Sequence, residues 1–136
     1  RGSAVWALCR IEDDGAREAI RAALADPDAG VRQAACHAAG LHRDAAAVDA
    51  LGKIVRSDDA PVARAAAEAL GRLADPRAVP HLLAAANRDV DRSLDHSILY
   101  ALIETAMPES LRTALATGTP AEVQRHPDVV AAYLGA

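Results

Sequence analysis

Apolar residues recur at three- and four-residue spacing along nearly the whole chain, as in Ile20 with Leu24, Leu51 with Val55 and Leu82 with Ala86. That spacing lines apolar side chains along one face of an α-helix, with charged residues on the other faces. β-Branched residues never alternate over a strand-length run, so no sheet is expected. The pattern predicts helices over 3–12, 15–26, 30–42, 45–57, 60–73, 77–88, 91–105 and 108–116.

The pattern also repeats. Asp13, Asp44 and Asp75 stand 31 residues apart, and Ile20, Leu51 and Leu82 keep the same step. A second set moves with them: "VRQAACHAAG" from Val31 and "VARAAAEALG" from Val62, ending in Gly40 and Gly71. A partial copy, "SAVWALCRI", precedes them by 31 residues, and "LDHSILYALIE" follows by 32. Two helices per unit of this length are the signature of an α-solenoid. We expect an all-α stack of about four helical hairpins over 1–117, the first incomplete, and a short helical C-terminal cap over 118–136. Each repeated aspartate should N-cap the first helix of its hairpin, which is typically worth about 1 kcal/mol. The mark is plainest in "ADPRAVPHLLAA", where Asp75 suits the cap and Pro76 the first helical position. Pro80 falls near the first turn, lacks an amide donor, and should delay or tighten that start.

Composition sharpens this picture. Alanine supplies about a quarter of the 136 residues, while the aromatics are only Trp6, Tyr100 and Tyr133. The best helix former with a small side chain means helices packed close together. A formal charge of −4 speaks against a nucleic-acid partner, which usually meets a basic domain. No apolar run approaches membrane-spanning length and no signal peptide is visible, so no membrane partner is expected and the cytoplasm is the default location. The chain opens at Arg1 inside a helical pattern, so a fragment is expected. Val5 and Leu8 should then want a covering helix from upstream, or self-association with another copy through the uncapped first repeat.

The segments "ALADPDAGVRQAACHAAG" and "VARAAAEALGRLADPRAVPHLLAAA" resemble HEAT repeats, in the short bacterial form also found in phycobilisome lyases. The resemblance covers about Ala4 to Ala116 and implies an armadillo-like helical repeat fold, while such repeats serve many unrelated roles. The copy "DRSLDHSILYALIETAMPESLRTAL" is similar to HEAT segments of large bacterial proteins that combine dehydrogenase-like and cytochrome modules. The tail "GTPAEVQRHPDVVAAYLGA" breaks the period with a capping-box start at Thr119 and Glu122 and an interruption at Pro127. It resembles the extreme C-terminus of the ATPase subunits of branched-chain amino-acid ABC transporters. No GxxxxGK[ST] loop occurs in the chain, so that activity is not carried over, and the tail is read as a cap on the last repeat.

Equivalent positions of the second helices fall into columns. One reads Trp6, His37, Glu68, Tyr100; four residues earlier stand Gln33, Arg64, His96; four later stand Arg10, Leu41, Arg72, Glu104. Residues four apart share a helix face and stacked repeats set equivalent positions side by side, so these columns should form one polar and aromatic strip on the concave surface. The candidate binding residues are therefore Trp6, Arg10, Gln33, His37, Arg64, Glu68, Arg72, His96 and Tyr100. Variation down a column suits recognition of one particular partner, and Trp and Tyr anchor such interfaces best. An ordinary solvated face is the plainer alternative.

Candidate chemistry is sparse. Cys9 and Cys36 are too far apart for a CxxC site and read as small core residues. HEAT enzymes that hold two irons use His-Glu dipeptides, and this sequence has none; neither metal nor cofactor is expected. Ser93, Ser97 and Ser110 lack a glycine-rich elbow and a His-Asp context, so no catalytic residue is assigned. The leading expectation is a non-enzymatic module that binds a protein or peptide. A bilin-lyase-like subunit holding a tetrapyrrole is the alternative implied by the resemblance, with HEAT-like DNA-lesion recognition a third.

Overall fold

The computed structural model describes residues 1–106, so the helix expected over 108–116 and the C-terminal tail lie outside the described residues. The chain divides into two units, Arg1–Thr105 and Ala106–Ala136. The described residues form seven α-helices: α1 (Gly2–Leu8), α2 (Asp14–Ala23), α3 (Ala29–Leu41), α4 (Val48–Ser57), α5 (Ala60–Leu73), α6 (Ala78–Ala86) and α7 (Arg92–Ala106). No strand occurs among them.

Two of the repeated aspartates act as expected. Asp13 accepts a 2.7 Å bond from the Ala16 amide at the start of α2. Asp44 accepts from the Ala46 amide, but there the chain first makes a 3-10 turn over Ala45–Ala47 and only then enters α4. Asp75 departs from the expectation. Its carboxylate bonds the amide and guanidinium of Arg77 in a turn, and α6 begins at Ala78 with no side-chain cap. Pro76 thus lies in the turn, and Pro80, without an N–H, is the third residue of a helix of only nine.

The helices pack as a stack of hairpins. α1, α3 and α5 contact one another in series, α4 packs on both α5 and α6, and α2 on α3. Ile20, Leu51 and Leu82 are all fully buried, one from each first helix. Val31 with Val62, Ala34 with Ala65, and Ala38 with Ala69 and Ala101 line the buried sides of the second helices. Small residues let these helices approach until backbones nearly touch. A Cβ on Gly40 would meet Ala69 Cα at 3.0 Å, and one on Gly71 would meet Ala101 Cα at 3.2 Å. Val5 is buried and Leu8 packs half-buried against the same core. α3 lies against α1, and the His42 ring reaches the Leu8 carbonyl at 3.3 Å.

Polar staples join successive hairpins. Arg21 from α2 reaches the buried Asp44 at 2.6 Å. Arg32 grips both oxygens of Asp58 at 2.7 and 2.8 Å and also donates to the carbonyls of Asp26 and Pro27. Arg77 donates to the Ala45 carbonyl at 3.1 Å, and Arg88 to the Arg56 carbonyl.

Candidate interaction face

The exposed side of the second helices carries the columns read from the sequence. Each of these helices buries its alanines against its neighbours, which leaves the positions beside them facing water. Trp6 on α1 is 53 % exposed and stacks on His37 of α3, with ring centroids 5.9 Å apart and planes 26° from parallel. These two residues are 31 apart in sequence, so the repeat brings equivalent positions together in space here. Arg10, Arg64, Glu68, Arg72 and His96 are exposed, and Gln33 and His37 are half-buried.

At the α5–α7 end the face becomes concave. Glu68 and Arg72 from α5 meet His96 and Tyr100 from α7 around a hollow of about 340 Å³. Gly71 and Ala101 form its floor, where the close helix approach removes side chains from the bottom. Ser97 and Glu104 complete the wall. Tyr100 is 59 % exposed, so an aromatic ring stands at the mouth with carboxylates and a guanidinium beside it. Such a hollow can take a side chain with an apolar stem and a charged end.

A second, more open hollow of about 490 Å³ shares His96 and Ser97 with the first. Arg64, Arg92 and Ser93 make up the rest of its lining. Arg92 was not singled out from the sequence, and Ser93 was weighed there only as a nucleophile. Extending the α7 columns one further turn toward the N-terminus, from His96 to Arg92 and from Ser97 to Ser93, is the signal that would have found them. Four expected residues therefore converge on one hollow, Arg64 joins its neighbour, and Trp6 with His37 forms a separate pair. No contact brings Arg10 or Gln33 to either hollow.

Elsewhere the titratable groups serve structure. Burial pushes the Cys36 thiol up to about 12 and also raises Cys9, so neither carries a thiolate at neutral pH. The Arg32 guanidinium holds Asp58 down to about 2. Among the described residues, no three His, Cys, Asp or Glu side chains cluster as metal ligands. No described helix is long and apolar enough to cross a membrane.

The repeat length, the paired helices and the alanine-lined contacts are those of a known family, and the family model for HEAT repeats matches residues 1–67 and 39–103. The chain belongs to the HEAT-repeat family. The second hollow and the Trp6–His37 stack lie within the matched HEAT residues, as does the first hollow except for Glu104. Residues 115–136 match a second model, described as a branched-chain amino acid ATP-binding cassette transporter, which agrees with the resemblance read in the tail. A search of curated proteins found no match.

Proposed function

We propose that this HEAT-repeat chain is an interaction module that docks a peptide or protein segment along the exposed face of the second helices, α1, α3, α5 and α7. Its mechanism is complementarity of shape and charge, without bond making. The observation that carries the reading is the hollow where Glu68, Arg72, His96 and Tyr100 meet over a glycine–alanine floor. A large aromatic side chain exposed beside a built depression, with charges of both signs on its rim, matches the anatomy of a docking anchor. Trp6 supplies a second exposed aromatic on the same series of helices, held in place by its stack on His37.

The test compares the wild-type chain with a variant carrying Trp6→Ala, Glu68→Ala and Tyr100→Ala together. These side chains are exposed, so circular dichroism should be unchanged. Proteins captured by the wild type and identified by mass spectrometry should be lost from the variant. Equal capture by both would remove this face as the docking surface.

A further inference from the structure

The open hollow beside Tyr100 has a chemistry of its own. Its lining is Arg64 from α5 with Arg92, Ser93, His96 and Ser97 from α7, and no carboxylate is among them. Four arginines of the described residues are held by carboxylates: Arg21 by Asp44, Arg32 by Asp58, Arg77 by Asp75 and Arg1 by Asp26. Arg64 and Arg92 make no ion pair with any described residue, and both are exposed. Asp91, at the start of α7, accepts the amides of Ser93 and Leu94 on one carboxylate oxygen at 2.9 Å and makes no ion pair with Arg64 or Arg92. Those two amides are therefore occupied, and the groups offered to an anion here are side chains.

We propose that this hollow receives the phosphorylated side chain of a docked peptide. Two guanidinium groups on neighbouring helices each offer a planar fork of donors. The Ser93 and Ser97 hydroxyls and the His96 ring add donors from a single helix face. A carboxylate has two oxygens and one charge and would leave part of this set unused. A phosphoryl group brings three acceptor oxygens and a charge near −2, which suits two arginines and two hydroxyls together. A peptide is favoured over a nucleic acid because the whole chain carries a formal charge of −4. His96 and Ser97 also line the Tyr100 hollow, so the residue next to the phosphate can seat there. Glu68 and the Tyr100 ring can meet a basic side chain in that hollow, and Arg72 is the opposing charge.

The inference rests on the docking-face reading, and the experiment separates the two. The full 136-residue chain is titrated with three synthetic peptides, Ac-Ala-Xaa-Arg-Ala-NH2, in which Xaa is phosphoserine, serine or glutamate, and with a short DNA duplex. Binding is read from amide shifts of His96 and Ser97. The phosphoserine peptide should bind at least tenfold more tightly than the serine and glutamate peptides. Arg64→Gln and Arg92→Gln should each weaken it about tenfold, Ser97→Ala less, and the remote Arg17→Gln not at all. Equal binding of the glutamate and phosphoserine peptides overturns the proposal, as does phosphopeptide binding that survives the Arg64→Gln/Arg92→Gln double variant. Tighter binding of DNA through the same arginines also overturns it. If the phosphopeptide fails while capture still depends on Trp6, Glu68 and Tyr100, the phosphate hollow alone falls. If both fail, the docking face falls with it.

Discussion

At the scale of single residues, a two-pronged charge contact of the described chain is structural. Arg32 holds Asp58 in a two-pronged grip and lowers its carboxyl to about 2 from an ordinary 3.8. A carboxylate with a depressed folded-state pKa contributes stability that is full above the unfolded value and is lost as pH falls through the folded one. The loss should run from about pH 4 down to about pH 2. Asp59 moves the opposite way, raised by the adjoining Asp58 carboxylate, but it is fully exposed and solvent screens its effect. Urea unfolding of Arg32→Gln should show lower stability than wild type at pH 6 and converge with it near pH 2. A constant difference at both pH values would mean that the pair is not the source. The cap positions show how far sequence reaches at this scale. Asp13 was legible because nothing near it competes for its carboxylate. Asp75 was misread as a helix cap because Arg77, two residues on, takes both its oxygens, and because Pro80 cannot donate to an earlier carbonyl.

At the scale of elements, the helix list was legible to within a few residues, since 3.6-residue periodicity reports which face is buried. The ends were less so. α1 stops at Leu8 and α2 at Ala23, each followed by tightened three-residue bonds, such as Ile11 to the Leu8 carbonyl and Asp26 to the Ala23 carbonyl. Two of the turns between hairpins close through left-handed residues at equivalent repeat positions, Arg43 with φ 47° and Ala74 with φ 51°. An L residue pays a steric cost there that glycine does not. Ala74→Gly should therefore stabilise the chain by about 0.5–1 kcal/mol, read from urea midpoints, whereas most glycine substitutions at helix ends do nothing or harm. Gly52 illustrates the reverse. A Cβ there would fall 2.3 Å from Cγ of His81 on α6, so Gly52→Ala should cost about 1–3 kcal/mol despite the better helix propensity of alanine. Gly52→Ala combined with His81→Ala should recover most of that loss, and a double variant no better than the single one would contradict the contact.

At the scale of the whole described unit, the 31-residue repeat gave away both the stack and the membership of columns on its exposed face. The Trp6–His37 stack is the clearest case, because two residues read as equivalent prove to be in contact. What the sequence could not convey was depth. Whether a column is flat or hollow depends on how closely adjacent helices approach, and Gly71 against Ala101 sets that distance only once the fold is formed. Arg92 escaped notice for a related reason, since its column has only alanine, Ala29 and Ala60, in the earlier repeats. Likewise, the burial of Val5 follows from α1 lying against its neighbours, which no local pattern announces. The most direct test of the account is hydroxyl-radical footprinting of the full chain, alone and with a partner that the wild type captures. Docking on the second-helix face predicts protection of Trp6, His37 and Tyr100 while the exposed Leu83 on α6 stays reactive. Protection of Leu83 with Trp6 and Tyr100 unchanged would contradict it.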